Sequence, residues 1–142
     1  MSRSDDFSLG ARIAGEARQL VGVPFRLHGR SAETGLDCIG LVALALKKAT
    51  DREVVVPQGY RLRNADISSF LELVCLAGLH PIEGRATPGD VLHTRPGPAQ
   101  DHLAIAIGRG HLVHAHAGLR RVVLAPIANC GALLHHWRAQ TD

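Results

Sequence analysis

The stretch GLDCIGL, residues 35–41, places one cysteine between an acidic residue and the start of a long apolar run. The run continues through residues 39–49, IGLVALALKKA, and stays apolar nearly all round until its two lysines. This pattern is typical of a buried helix. Asp37 is a residue type that caps helices, and Gly40 leaves the first turn open to a close approach. The sequence therefore predicts that Cys38 begins the central helix of the core.

A helix N-terminus is a favourable position for a thiolate, because its first N–H groups are unpaired and the peptide dipoles add partial positive charge there. With a nearby imidazolium, such a position lowers a cysteine pKa from about 8.5 to about 3.5–7.5. We therefore expect Cys38 to be a nucleophile with a depressed pKa. The alternative is a small apolar residue packed in a buried helix, and this stretch alone leaves both readings open.

The whole chain is consistent with one domain over residues 1–142, since 142 residues with 46% hydrophobic content form a single core. No run of about eighteen apolar residues is present, and the N-terminus, MSRSDDFSLG, lacks a secretory signal pattern. We therefore expect cytoplasmic synthesis and no membrane span. The net charge of +3 comes from scattered arginines, which disfavours a nucleic-acid partner. Three cysteines without CxxC spacing disfavour a disulfide framework and a cysteine zinc site.

The order of predicted elements indicates an α+β fold, with N-terminal helices packed on a C-terminal antiparallel β-sheet. Helical spacing appears at residues 9–21, at 39–49 and at 67–78. From residue 87 onward, turn residues and the alternation typical of β-strands replace the helical spacing. The predicted strands are 91–95, 102–108, 111–117, 120–127 and 133–139.

The strand HLAIAIG, residues 102–108, places His102 on the face that carries its alanines. If residues 108–110 form a three-residue hairpin loop, His116 lies opposite His102 and His114 lies opposite Ala104. All three histidines then share one face of the sheet. A slip of one residue would send two of them to the other face.

A nucleophile, a base beside it and a polar group that orients the base are the minimum parts for acyl transfer by a thiol. Here they would be Cys38, His102 and His114, with the backbone N–H of Cys38 as one oxyanion donor. One alternative is a chance grouping in a chain with nine histidines. Another is a zinc site formed by His102, His114 and His116, which the lack of an HExxH motif disfavours. We expect no metal and no cofactor.

Four ordered motifs across residues 11–125 resemble the NlpC-type cell-wall cysteine peptidases. They are Pro24-Phe25 with Gly29, Asp37-Cys38-Ile39-Gly40-Leu41-Val42, Gly89-Asp90-Val91-Leu92, and His102-Leu103-Ala104-Ile105-Ala106-Ile107-Gly108 followed by His114-Ala115. The resemblance implies a papain-like fold, with Cys38 as nucleophile, His102 as general base and His114, or else His116, as the orienting residue. It also implies hydrolysis of peptidoglycan stem peptides at the bond between D-glutamate and a diamino acid. The residues it implies around the oxyanion and substrate pocket are Phe25, Asp37, Ile39 and His116.

Two positions depart from the common family pattern: Ile39 stands where many members have serine, and Phe25 where many have tyrosine. A hydroxyl is therefore absent from each position. At both positions the sequence resembles the branch of the family that is found in phages and gene-transfer agents. That branch implies phage-like tail or baseplate partners and a tail-associated enzyme that reaches the wall without a signal peptide. The alternatives are a catalytically inactive tail structural protein of the same fold, or a thiol acyltransferase.

The remaining residues of interest carry weaker expectations. Arginines can bind a stem-peptide carboxylate, and the candidates are Arg26, Arg30, Arg61, Arg63 and Arg95. Cys75 and Cys130 are expected to be packing residues, and Trp137 to anchor the C-terminal segment to the core or to a partner. Structural roles are the default for five further histidines, which are His28, His93, His111, His135 and His136.

Overall fold

The computed structural model describes residues 2–54, 74, 77–97 and 100–139 of the chain. Its helices are α1 (Ser2–Gln19) and α2 (Cys38–Thr50), with a short 3-10 helix at Ile127–Asn129. Its strands are β1 (Arg30–Ser31), β2 (Gly35–Leu36), β3 (Leu79–Pro81), β4 (Val91–Gly97), β5 (Gln100–Gly108), β6 (His111–His116), β7 (Arg121–Pro126) and β8 (Ala132–Ala139). The predicted third helix at 67–78 falls almost wholly outside the described residues.

Both described helices lie where the sequence predicts them. α1 begins earlier than the predicted residue 9 and ends before Gly22, whose φ of 97° ends the helical conformation. It buries Leu9, Ile13 and Ala17 against the core. α2 begins at Cys38 and is capped by Asp37, as expected. No helix within the described ranges is long and apolar enough to cross a membrane.

The main sheet has six antiparallel strands in the order β3-β8-β4-β5-β6-β7, and β1 and β2 form a separate pair. The predicted strands correspond to β4, β5, β6, β7 and β8. β1, β2 and β3 were not predicted, because two or three residues are too few to show alternation. The helices-then-sheet arrangement confirms the α+β prediction.

The β5–β6 hairpin keeps the predicted register with a different turn. The loop consists of Arg109 and Gly110 alone, both at positive φ (56° and 75°), and Gly108 pairs with His111. An irregularity just before Gly108 restores the expected pairing farther from the turn, so that Ile105 lies opposite Val113. The predicted three-residue loop is therefore wrong, whereas the register on which the histidines depend is confirmed.

The two faces of the sheet have different roles. The helix face contributes Leu103, Ile105 and Val113 to the main core, which also contains Cys38. The opposite face, called the outer face here, carries a small apolar cluster of Leu92, Ala104, Ala106, Leu112 and Cys130. Side chains alternate along a strand, so His102, His114 and His116 belong to the outer face.

A close backbone approach fixes the start of α2. A Cβ at Gly40 would collide with the carbonyl oxygen of Gly29, in the turn that precedes β1. Only glycine allows the first turn of the helix to lie so near this segment. The requirement for Gly40 is therefore steric, and it sets the position of Cys38 two residues earlier.

Candidate active site

Asp37 organises the backbone around the cysteine. Its Oδ1 accepts the N–H of Gly40 at 2.8 Å and its Oδ2 accepts the N–H of His28 at 2.7 Å. The guanidinium of Arg30 lies 3.2 Å from Oδ1. Asp37 is fully buried, so these contacts replace water in stabilising the negative charge of its carboxylate. Its position is that of a structural cap, and the resemblance had placed it near the substrate pocket.

The electrostatics of Cys38 differ from the expectation. The thiol is completely buried, and burial together with the negative charge of Asp37 raises the pKa of Cys38 to about 12. The backbone N–H groups of Leu103, Ile39 and Cys38 act in the opposite direction, but burial dominates. The predicted depressed pKa is therefore wrong for the free protein, in which the sulfur is a neutral thiol.

The three histidines lie together, as the register predicts. The rings of His102 and His114 meet edge-on with centroids 5.9 Å apart, and those of His114 and His116 are 5.4 Å apart. All three line a cleft of about 680 Å³. Burial and the neighbouring imidazoles lower the pKa of His114 to about 4, and burial also lowers the pKa of His102. Both rings are therefore neutral at pH 7, the form that accepts a proton.

No direct hydrogen bond joins the thiol of Cys38 and the imidazole of His102, both of which are described residues. The backbone N–H of Leu103 is close enough to the sulfur to lower the pKa of Cys38, and both residues belong to the main core on the helix face. His102, one residue earlier, directs its ring to the cleft. Its Nδ1 is buried and has no hydrogen-bond partner among the described residues. The sulfur is therefore close to the backbone of the residue that follows His102, while the ring of His102 lies on the other face of the sheet.

A second thiol lies on the cleft itself. Cys130 is one of the residues that line it, and its Sγ donates to the carbonyl oxygen of Pro126 at 3.3 Å. Burial raises the pKa of Cys130. It packs with Ala104 and Leu112 in the outer-face cluster, which agrees with the predicted packing role. The described residues therefore include two buried thiols, Cys38 in the main core and Cys130 at the cleft.

The other residues expected near the pocket lie in different places. Ile39 is fully buried in the main core, and Phe25 is half-buried and packs against that core. Among the four residues that the resemblance placed there, His116 alone lines the cleft. Its Nδ1 accepts the backbone N–H of Leu119 at 3.1 Å. This bond fixes the ring at the cleft wall.

The arginines that were candidates for binding a substrate carboxylate lie in different environments. Arg30 contacts Asp37, and Arg95 binds Asp101 through Nη2 at 3.0 Å. Arg26 is exposed, whereas Arg61, Arg63 and Cys75 lie outside the described residues. Among the described residues, the arginine that lines the cleft is Arg121, opposite His116 in the β6–β7 pairing. Sequence reasoning missed it, although the alternation of β7 after the turn at 117–120 was a usable signal.

The remaining histidines have structural partners that link distant strands. His93 Nε2 lies 2.8 Å from Asp101 Oδ1, and its Nδ1 lies 3.0 Å from Nδ1 of His135. The rings of His93 and His135 stack with centroids 5.2 Å apart. Trp137, only 3% exposed, stacks beside them and confirms the expected anchor to the core. These contacts hold β4, β5 and β8 together.

His111 and His136 also fit structural roles. His136 Nε2 lies 3.1 Å from Asp90 Oδ2, outside hydrogen-bond geometry, and Arg138 binds the same carboxylate through both oxygens. His111 Nδ1 lies 2.9 Å from the carbonyl oxygen of Arg109 in the hairpin turn. Within the described ranges, no three histidine, cysteine or acidic side chains are arranged to hold a metal ion, so the zinc alternative gains no support.

Two helices on a six-stranded antiparallel sheet, with a cysteine at the start of the buried helix, define a papain-like α+β fold. A family model described as the NlpC/P60 family matches residues 22–139, and the chain belongs to that family. No curated protein matches the chain.

Solved structures share the fold. The NlpC/p60 domain of the peptidoglycan hydrolase SagA is 25% identical with a TM-score of 0.66, covering 92% of this chain and 98% of that one. The peptidoglycan hydrolase RipB from Mycobacterium tuberculosis is 19% identical with a TM-score of 0.63, covering 100% and 69%. RipD from the same organism, described as a non-catalytic domain protein adapted to peptidoglycan binding, is 15% identical with a TM-score of 0.60, covering 94% and 98%. The chain spans 39–48% of four other matched structures.

Proposed function

We propose that this chain is a cysteine peptidase that hydrolyses stem peptides of peptidoglycan, at the bond between D-glutamate and the diamino acid. Family membership supports the proposal, since the related SagA and RipB are peptidoglycan hydrolases. The observation that carries it is local. The backbone N–H of Leu103 is close enough to lower the pKa of Cys38, and the preceding residue, His102, packs its neutral ring against His114.

In this mechanism His102 takes the proton of the Cys38 thiol, and the thiolate attacks the scissile carbonyl carbon. The backbone N–H groups of Cys38 and Ile39, at the start of α2, donate to the developing oxyanion. His114 orients His102, which then passes its proton to the leaving amine. Water activated by His102 hydrolyses the thioester and restores the thiol. Because the free thiol is buried with a raised pKa, its deprotonation must be coupled to peptide binding, which brings polar groups to the sulfur.

A second candidate function is peptidoglycan binding without catalysis. The complete burial of Cys38, with its pKa raised to about 12, favours it, because a neutral buried thiol is a poor nucleophile. The structural neighbour RipD is described as such a protein. A fold alone does not establish chemistry, so activity must be measured. A thiol acyltransferase would use the same residues and pass the acyl group to an amine in place of water.

The finer setting that we propose is a phage-like or gene-transfer-agent tail, where the enzyme opens the wall locally and contacts tail or baseplate proteins. The resemblance of Phe25 and Ile39 to that branch supports this setting. Peptide mass spectrometry on purified tail particles tests it. Detection at a fixed ratio to a tail protein supports particle association, and absence from intact particles contradicts it.

Digestion of purified muropeptides tests the catalytic proposal. Wild type should release fragments with a new amino terminus on the diamino acid, identified by mass spectrometry, whereas Cys38→Ala and His102→Ala should not. Cys130→Ala is the matched control, because it removes the other described thiol and should retain cleavage. Cleavage by Cys38→Ala at the wild-type rate would refute the mechanism. Tight binding of muropeptides without cleavage by wild type would establish the non-catalytic function.

A further inference from the structure

The cleft has an uneven charge distribution. Its walls include three histidines and Arg121, and no aspartate or glutamate is among the described residues that line it. With His102 and His114 held neutral, Arg121 supplies the fixed positive charge. A concave surface with one sign of charge concentrates ligands of the opposite sign. The cleft is therefore suited to an anionic ligand.

Arg121 is placed to act on such a ligand. It pairs with His116 across β6 and β7, so both side chains project from the same face of the sheet. Arg121 is exposed and forms no ion pair within the described part of the chain. In contrast, Arg95 and Arg138 are each bound to a buried carboxylate. An unpaired guanidinium at a cleft wall retains its full capacity for a bidentate contact with a carboxylate.

The cleft also offers apolar contacts beside this charge. Leu119 and Leu124 both line it, and they are 50% and 46% exposed. Large apolar side chains with this exposure can cover the aliphatic part of a bound residue. A cation with flanking leucines matches a residue that has a short methylene chain and a free carboxylate, as a glutamyl residue has.

We propose that Arg121 binds the free carboxylate of the glutamyl residue in the stem peptide, and that the site thereby prefers a carboxylate to a carboxamide at that position. This inference rests on the proposed function, because it names the part of the substrate that the cleft recognises. A carboxamide removes the negative charge and offers a single acceptor oxygen to the guanidinium. The preference is thus an electrostatic property of Arg121 and is separate from the chemistry at Cys38.

Two synthetic stem peptides that differ only in carboxylate or carboxamide at the glutamyl residue test the proposal. For wild type, kcat/KM should favour the carboxylate peptide by about tenfold, the lower end of a charge-assisted contact at an exposed group. Arg121→Gln should reduce this ratio to about one, and Arg121→Lys should restore part of it. Arg120→Asn is the matched control: it removes a positive charge one residue away, in the turn beside the cleft. It should leave the ratio as in wild type.

Binding measurements separate the two proposals. The dissociation constants of both peptides are measured with the Cys38→Ala protein, with and without Arg121→Gln, by NMR titration. An unchanged preference after Arg121→Gln, in cleavage or in binding, overturns the role of Arg121 and leaves the proposed function intact. Binding with the expected preference but no cleavage by wild type supports Arg121 and contradicts the peptidase. If neither peptide binds or is cleaved, both proposals fail.

Discussion

Replacing Asp37 by alanine should destabilise the protein strongly, because its carboxylate is the acceptor for two backbone N–H groups. The change removes the helix cap to Gly40, worth about 1–2 kcal/mol, and leaves the N–H of His28 without its acceptor, which costs about 1–2 kcal/mol more. The ion pair with Arg30, whose side chain is 33% exposed, adds less, because the guanidinium remains partly hydrated. The sum is about 3 kcal/mol, which lowers the Tm of a chain of this size by about 10 °C.

Urea unfolding followed by circular dichroism measures this loss, with the m-value checked for a change in the denatured state. The matched control is Glu53→Ala. Glu53 is 82% exposed and pairs with Lys47 near the other end of α2, so its loss should cost less than about 0.5 kcal/mol. A loss below 1 kcal/mol for Asp37→Ala would refute the cap as an organising contact. Asp37→Asn should cost less stability and lower the pKa of Cys38, since it removes the charge that helps to raise it.

Three further outcomes are expected. Gly40→Ala should prevent folding or severely lower the unfolding midpoint, because its Cβ would collide with Gly29. Gly15→Ala in α1 has open space around its Cβ position and should raise stability by about 0.5–1 kcal/mol. Equal effects of the two changes in thermal unfolding would contradict the close approach of Gly40 to Gly29. The pKa of His114 is lower in the folded chain, about 4, than the unfolded value of about 6.5, so the unfolded state takes up the proton first as the pH falls. Stability should therefore fall between pH 6.5 and pH 4, and His114→Gln should reduce that slope; parallel urea-midpoint curves for the two proteins would contradict this. Iodoacetamide should label Cys38 slowly in the free protein at pH 7, because the thiol is buried and neutral, and rapid labelling measured by peptide mapping would contradict its burial.

The features that sequence reasoning predicted correctly are local ones. The pattern around residues 35–49 specifies α2 and its cap, since hydrophobicity and capping act within a few residues. The register of the β5–β6 hairpin could also be predicted, because it depends on a short turn and on the alternation of side chains along each strand. This register was sufficient to group His102, His114 and His116 on one face.

The features that it missed depend on burial or on distant partners. A helix N-terminus favours a thiolate, but the packing of the sheet over Cys38 removes water, and that desolvation outweighs the local effect. The pairing of Asp90 with Arg138 joins residues 48 positions apart, which no local pattern specifies. Arg121 was missed because its importance comes from the cleft that forms around it.

We propose that Cys38, and not Cys130, is the nucleophile that a stem peptide reaches. A stem-peptide analogue with a thiol-reactive carbon in place of the scissile carbonyl group tests it directly, with intact-mass measurement and peptide mapping after incubation at pH 7. One adduct should form on Cys38, faster than iodoacetamide labels that thiol, and Cys38→Ala should form none. An adduct on Cys130, or no adduct on wild type under conditions in which the analogue binds, would contradict the account.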